Sequence, residues 1–444
     1  MIVYHGLGYV GLTGAVHFAR VGATLGYDPD QTVVDAINAG TPKAGEFLAY
    51  LSGCKLPRAT TNFAEISHHP IHILAVPTER EGQPWMALVK TCVARLLERV
   101  PNGALIIIES TLTPGAVDQM IAGPLGQRIA TGQVDLAVAP RRDWFADPQK
   151  NLASIHRIVG GYTPAATERA VRVLARVTHV DWILPTDCRT AELVKPLENA
   201  LFHLPIMLGH ELAMTFPDLD IVEALRLATT HWRFASLGGL YVGFGSGGRC
   251  VNLGPKYLLA AAAARVSDDR LEAPPQLLTQ TLAVENAVTD AIVRIVLEEV
   301  SQSRAKAVLI LGLGYRPNFA DMGYSPGIRI ARALAGRVPS IDVHVDDSIV
   351  PRDAIACELG EDAPFGITSI TTQRLEYRDR FLASFDVILL ATPHDPYLAL
   401  PASIAWRAGQ LVIDARGAWA HHLPLFQAAG VAYRQVGKPG WRTL

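Results

Sequence analysis

Short apolar runs alternate along this chain with longer stretches whose apolar residues recur every three or four positions. In the first 190 residues, the runs at 71–76, 104–108 and 134–138 read as strands buried on both faces, and 86–100 reads as an amphipathic helix. Such alternation predicts a parallel sheet covered by helices on both sides. From about 191 to 300 the β-branched runs give way to helical spacing. Leu277, Leu278, Leu282, Val288, Ile292, Ile295 and Val296 follow a period near 3.6, directly after the helix-entry signal Pro274-Pro275. Apolar runs return at 307–311, 341–345, 387–391 and 411–413. The expected fold is therefore α/β: two Rossmann-like doubly wound domains, 1–190 and 301–444, joined by a central helical domain, 191–300.

Composition narrows the function classes. With 444 residues, 49% of them hydrophobic, the chain has the means to bury more than one core. Charged residues make up 18%, the net charge is -2, and no Lys/Arg-rich run occurs. Nucleic acid and acidic membrane surfaces are therefore not expected as partners. The five cysteines are far apart and form no C-x-x-C pair, so neither a metal site nor a disulfide framework is expected. Reduced thiols in a soluble, cytoplasmic protein are the expectation. No secretory pattern is read at the N-terminus, and the longest apolar stretch, 257–266, is too short to span a bilayer.

The first candidate chemistry is a dinucleotide site. An apolar strand at 2–5 runs into Gly6-Leu7-Gly8-Tyr9-Val10-Gly11 and then a helix-like segment. In G-x-G-x-x-G the first Gly permits the turn, the second lets a pyrophosphate reach the backbone, and the third packs helix on strand. The next strand ends at Asp28, where an acid binds ribose hydroxyls and disfavours a 2′-phosphate; the expected cofactor is NAD. Val76-Pro77-Thr78 and Glu109-Ser110-Thr111 follow further strands. Pro77, Thr78, Ser110 and Thr111 are candidate cofactor contacts, and their hydroxyls serve equally well as helix N-caps.

These motifs, in this order, resemble the UDP-glucose/UDP-N-acetylmannosamine 6-dehydrogenase family. The likeness continues through Ala191-Glu192-Leu193-Val194-Lys195, Glu198-Asn199-Ala200 and Gly247-Gly248-Arg249-Cys250. It extends over Gly312-Leu313-Gly314-Tyr315-Arg316, Ser325-Pro326, Ala391-Thr392-Pro393-His394-Asp395 and Asp414-Ala415-Arg416. The resemblance implies oxidation of a UDP-sugar C6 alcohol to a carboxylate with two NAD, through a cysteine thiohemiacetal and thioester. By that likeness Cys250 is the nucleophile, Lys195 and Asn199 stabilise the C6 oxyanion, and Thr111 stands beside them. Phe244, Gly245, Gly248, Arg141, Arg316 and Arg416 are substrate candidates. The family's long central helix implies a homodimer, and the run 277–300 fits that role or a connector buried within one chain. Cys suits the task because a thiolate is both a strong nucleophile and a good leaving group. Arg249 beside it lowers the thiol pKa if it turns inward.

Several positions depart from the family. Pro140 is followed by Arg141 where Glu is usual, and Gly254 stands where the family has Asp. His210, Arg316 and Gly323 replace the usual Asn, Lys and Arg. The expected consequence is a more cationic site without its hydrolytic carboxylates, with His210 either a substitute base or a structural residue. A Glu192–Lys195 pair and a helix start or kink at Pro196 are further expectations. Competing functions are a two-electron dehydrogenase, a redox epimerase, or a catalytically silent nucleotide-sugar-binding protein.

Overall fold

The computed structural model describes residues 1–42, 51, 53–144, 147, 149–233, 240–267, 273–303, 307–338, 340–360, 366–367 and 382–442. The chain divides into two compact units, residues 1–198 with 253–275 and residues 199–252 with 276–444.

The first unit is built on an eight-stranded sheet. In spatial order its strands are Ile183–Asp187, Arg157–Gly161, Val134–Val138, Ala104–Ile108, Ile71–Leu74, Ile2–His5, Thr24–Tyr27 and Arg58–Thr60. Ile2–His5 and Ala104–Ile108 are buried at every residue, as expected where helices cover both faces. Each fully buried Ile or Leu there contributes roughly 1.5–3 kcal/mol. Six strands are parallel. The expectation of an all-parallel sheet needs one correction: Arg157–Gly161 pairs antiparallel with Val134–Val138, and Ile183–Asp187 follows it as the edge. Pro185 is tolerated there because an edge strand leaves one row of N–H groups unpaired.

The second unit repeats the strand order. Its six strands, all parallel, run Gly366–Ile367, Asp342–Asp346, Ala307–Leu311, Val387–Leu390, Leu411–Asp414 and Ala432–Gln435. Numbered by their order in the chain, both sheets contain the succession third, second, first, fourth, with a crossover between first and fourth. That crossover leaves a crevice at the carboxyl ends of the strands, where such sheets bind ligands. Ser325 caps the helix Pro326–Arg337 by accepting from the Ile328 N–H, and Pro326 occupies its first turn. The Ser-Pro pair is thereby accounted for as a helix start.

The helical segment also follows its periodicity. Gln276–Ser303 is one helix beginning directly after the proline pair. Val288 is buried, and Ala291, Ile292, Ile295 and Val296 pack in the core of the second unit. The C-terminal part of this run is therefore spent in that core, while Leu277 at its start is exposed. Cys188–Thr215 is also a single helix. Pro196 lies in its interior, so it does not start the helix, and its missing N–H removes one backbone hydrogen bond. Among the described residues no helix is long and apolar enough to cross a membrane.

Candidate functional site

In the first unit, the glycine loop leaves the strand Ile2–His5 beside the crossover. Gly6 has φ +81°, and a Cβ there would lie 2.6 Å from the Ala75 carbonyl oxygen. A Cβ on Gly11 would run into the Gly6 carbonyl. Packing therefore demands glycine at both positions. Gly8 differs: a Cβ there would meet nothing within 4 Å. Its lack of a side chain has no use inside the protein and suits close approach of a pyrophosphate, at the start of the helix Tyr9–Ala19 that carries Tyr9 and Val10. Asp28 Oδ2 accepts the Leu7 N–H at 2.8 Å and Oδ1 accepts the Asp30 N–H at 3.0 Å. Each oxygen retains a lone pair for a ribose hydroxyl.

The second unit's matching loop is closed. Leu313 N–H and Gly314 N–H both donate to Asp347 Oδ2, at 2.6 and 2.9 Å, and His394 Nε2 bonds the same oxygen at 3.0 Å. Asp347 is the counterpart of Asp28, but it is buried and its carboxylate is consumed by the protein. Only the first loop fits a dinucleotide.

Two of the three candidate hydroxyls near the cofactor loop act between segments, and neither caps a helix. Ser110 Oγ donates to the Val76 carbonyl at 2.7 Å, joining two strand-end loops, and Thr78 Oγ1 bonds the Tyr257 hydroxyl at 3.0 Å. Pro77 is exposed and Thr111 half-buried at the same ends of the strands. Glu192 does the capping, accepting the Gly115 and Val117 N–H groups at 2.9 and 2.7 Å at the start of Ala116–Ile121. Burial pushes its carboxyl up to about 7 despite those bonds. The expected Glu192–Lys195 pair is therefore not formed. Lys195 Nζ donates instead to Glu198 Oε1 at 3.0 Å, and Arg142 Nε holds the other oxygen of that carboxylate at 2.6 Å.

Arg141, a substrate candidate, is engaged by the protein itself. Its buried guanidinium pairs with Asp143 at 2.6 Å and Glu109 at 3.3 Å, and donates to the Val10 carbonyl at 2.9 Å and to Thr13 Oγ1 at 3.2 Å. Arg157, also buried, holds the other Glu109 oxygen at 2.8 Å. The expected gain of positive charge is cancelled inside this network. The position ties the cofactor helix to the sheet.

In the second unit, Gly243 and Gly245 donate their N–H groups to His210 Nε2 at 3.0 and 3.2 Å, while His210 Nδ1 donates to the Ile206 carbonyl at 2.7 Å. Burial holds this imidazole below its ordinary pKa. Both ring nitrogens are in use, so His210 is a structural support of the loop and not a substitute base. Gly248 N–H donates to the Gly323 carbonyl at 2.7 Å, and Cys250 follows at an exposed position. Arg249, which would lower the thiol pKa if it turned inward, reaches Asp321 at 3.7 Å. A Cβ at Gly323 would lie 2.6 Å from Arg249 Cγ, so that glycine makes room for it. Asn199 is buried in the same unit.

A cleft in the second unit gathers Phe244, Gly245, Tyr315, Arg316, Thr392 and Arg416. The Arg316 guanidinium lies 3.9 Å from the Phe319 ring centre and that of Arg416 lies 3.9 Å from Tyr241. Arg316 Nε is buried without a protein partner. An orphaned guanidinium donor in a cleft fits an anionic ligand such as a diphosphate.

Residues 1–178 match the NAD binding domain of the UDP-glucose/GDP-mannose dehydrogenase family, 189–286 its central domain, and 309–421 its UDP binding domain. The chain belongs to that family. It is an NAD-dependent UDP-sugar dehydrogenase, and its cofactor is NAD. The UDP-N-acetyl-D-mannosamine dehydrogenase of Salmonella typhimurium is 29% identical over 440 residues, covering 93% of this chain and 98% of that protein. The NDP-N-acetyl-D-galactosaminuronic acid dehydrogenase of Ralstonia solanacearum is 26% identical, covering 93% and 95%. The solved UDP-D-ManNAc dehydrogenase of Pyrococcus horikoshii shares the fold, with a TM-score of 0.78 at 23% identity over 99% of both chains.

The candidate residues rest on others that the sequence reading did not single out. Tyr257 anchors Thr78, and Tyr241 and Phe319 carry the two cleft arginines. Asp347 had a legible signal, since it follows its strand as Asp28 does. Tyr241 and Tyr257 had none.

Proposed function

We propose that this chain oxidises the C6 hydroxyl of a UDP-sugar toward the uronic acid through a covalent adduct on Cys250. The observation that carries the reading is the cleft of the second unit. Four residues named from the sequence, Phe244, Gly245, Arg316 and Arg416, converge there, and one guanidinium nitrogen lacks a partner. In this reading residues 1–190 hold NAD through Gly6, Gly8, Gly11 and Asp28, 191–300 carry Lys195, Asn199 and Cys250, and 301–444 hold the UDP end. NAD, when bound, accepts one hydride for each two-electron oxidation. The Cys250 thiolate adds to the C6 aldehyde carbon, and the Lys195 ammonium and Asn199 amide stabilise the resulting oxyanion. After the second oxidation the carbonyl is a thioester, and water releases the acid and restores the thiol. The named relatives make UDP-N-acetyl-D-mannosamine the first substrate to test.

A second reading, arrest before the free acid, is favoured by one observation. Arg141 and His210 are both engaged in structural bonds and offer no basic atom to a hydrolytic water. One experiment separates the readings: a panel of UDP-, GDP- and TDP-sugars with NADH counted per sugar and products weighed. Two NADH with a uronic acid support full oxidation, whereas two NADH per enzyme with an acyl adduct left on Cys250 and no free acid support arrest at the thioester. No NADH with tight sugar binding defeats both. A Cys250→Ser variant that keeps its four-electron rate defeats the covalent route.

We also propose a homodimer. Its support is the apolar surface of the helical segment in the second unit, where Leu201 and Leu208 are more than half exposed and Phe202 nearly so. Sedimentation of Leu201→Glu tests it, with a shift to monomer expected.

A further inference from the structure

Three features of the second unit converge on one carboxylate behind the loop that ends in Cys250. Glu285, on the helix Gln276–Ser303, is buried and has no role in the reaction described above. Its Oε1 accepts the Ser246 N–H at 3.0 Å and its Oε2 accepts the Ser246 hydroxyl at 2.6 Å. Arg329, from the helix Pro326–Arg337, donates to Glu285 Oε1 and also to the Ser246 carbonyl at 3.1 Å. His203, fully buried, meets Glu285 Oε2 at 3.2 Å. Ser246 is thus held at its N–H, its carbonyl and its side chain, four residues before the thiol. The same carboxylate explains a glycine. A Cβ on Gly245, whose φ is +105°, would lie 2.6 Å from Glu285 Oε1 and 2.8 Å from Arg329 Nη2, so residue 245 has no side chain because the clamp fills that space.

We infer that Glu285 is the positioning residue of the Cys250 loop, holding residues 243–248 in one conformation through Ser246 and Arg329. The inference rests on Cys250 as the nucleophile. A buried carboxylate needs charged or hydrogen-bonding partners to stay ionised, and here the partners are the loop itself and the Arg329 side chain that grips it. Burial alone would raise the Glu285 pKa, but the His203 hydrogen bond, the Arg329 charge and the Ser246 hydroxyl outweigh it and hold the group at about 2. The clamp is therefore charged throughout the working pH range. A rigid loop matters because misplacing a nucleophile by an ångström costs about a hundredfold in rate.

The test uses the full chain and the variants Glu285→Gln, Ser246→Ala and Cys250→Ser. Amide hydrogen exchange of the peptide spanning 243–250 is followed beside that of a peptide covering 2–19, and kcat and KM are measured for NAD and the sugar. Glu285→Gln is expected to speed exchange of the first peptide at least tenfold and leave the second unchanged. It should lower kcat at least tenfold with the KM for NAD within twofold of the parent. Ser246→Ala, a small change that leaves the Arg329–Glu285 pair in place, should move both readouts in the same direction by at least threefold. It decides the matter if Glu285→Gln does not fold. Unchanged exchange overturns the clamp. Faster exchange with unchanged kcat overturns its role in positioning. A fully active Cys250→Ser instead defeats the proposed chemistry, whatever Glu285 does.

Discussion

Restoring the family's usual glutamate at position 141 should damage this enzyme and not improve it. The substitution Arg141→Glu removes a buried guanidinium from between Asp143 and Glu109, at 2.6 and 3.3 Å. It also takes a donor from the Val10 carbonyl and from Thr13 Oγ1. Breaking one buried ion pair by removing a partner costs ~3–5 kcal/mol. A carbonyl left buried and unsatisfied costs about 1–3 kcal/mol more. The new carboxylate would also enter a pocket already holding Glu109 and Asp143, whose remaining buried cation is Arg157. Taking one pair and one carbonyl alone, the loss is about 4–8 kcal/mol, against a typical total stability of ~5–15 kcal/mol.

For a unit of roughly this size each kcal/mol lowers the melting temperature by about 2–4 °C, so a fall of roughly 8–32 °C is expected. The assay is differential scanning calorimetry of the parent, Arg141→Glu and Arg141→Met, with NAD titrated into each. Met keeps the volume and removes the charge, and should fall between the other two. NAD affinity should weaken in both variants, because the Val10 carbonyl belongs to the first turn of the cofactor helix. If Arg141→Glu melts within about 3 °C of the parent, the buried network does not carry the charge balance assigned to it. If it also raises the rate of acid release, position 141 faces the substrate and the structural reading of Arg141 is wrong.

Gly8→Ala should leave the melting temperature unchanged and weaken NAD binding at least tenfold, whereas Gly11→Ala should destabilise the first unit outright; calorimetry and NAD titration separate the two. Arg316→Met should raise the KM for the UDP-sugar about ten- to a hundredfold and leave that for NAD unchanged, as loss of a charge-assisted contact worth ~1.5–3 kcal/mol requires; a KM for the UDP-sugar equal to the parent's would remove Arg316 from the proposed diphosphate site. Stability should fall with acid through His5 and His72, whose rings bond at 3.0 Å. Burial lowers both, His72 to about 4 from an ordinary 6.5. Both states are neutral above 6.5, and below it the unfolded chain takes protons that the folded core refuses. The loss therefore accumulates as pH drops from 6.5 to 4, reaching roughly 3 kcal/mol from His72 alone. Melting scans across that window check it, and an identical slope in a His5→Gln/His72→Gln double variant would discount the pair.

The elements most legible in the sequence are those whose signal is local. A strand buried on both faces reads as an apolar run, so Ala104–Ile108, and Val134–Val138 despite Asp135, could be read to the residue. The turn at Gly6 and the helix contact at Gly11 are likewise demanded by backbone geometry within a few residues. What the sequence could not convey is which partner a charged or polar side chain takes across a long loop. Glu192 lies three residues from Lys195, a spacing that suggests a helical pair, yet it caps a helix 75 residues upstream. His210 looked free to act as a base because nothing nearby in sequence marks Gly243 and Gly245 as its donors. Arg141 shows why this matters for function. Read alone, it is a catalytic carboxylate lost and a cation gained. Beside its neighbours it is a different use of the position: Asp143 balances its charge, Thr13 and Val10 receive its protons, and Gly14 makes room, since a Cβ there would lie 2.6 Å from Arg141 Nη1. A departure accommodated by several other residues is part of the fold's design. On the proposed mechanism, the absence of the usual base bears on the rate and endpoint of acid release, while the proposed NAD residues, the cleft and Cys250 leave the oxidative half of the reaction independent of it.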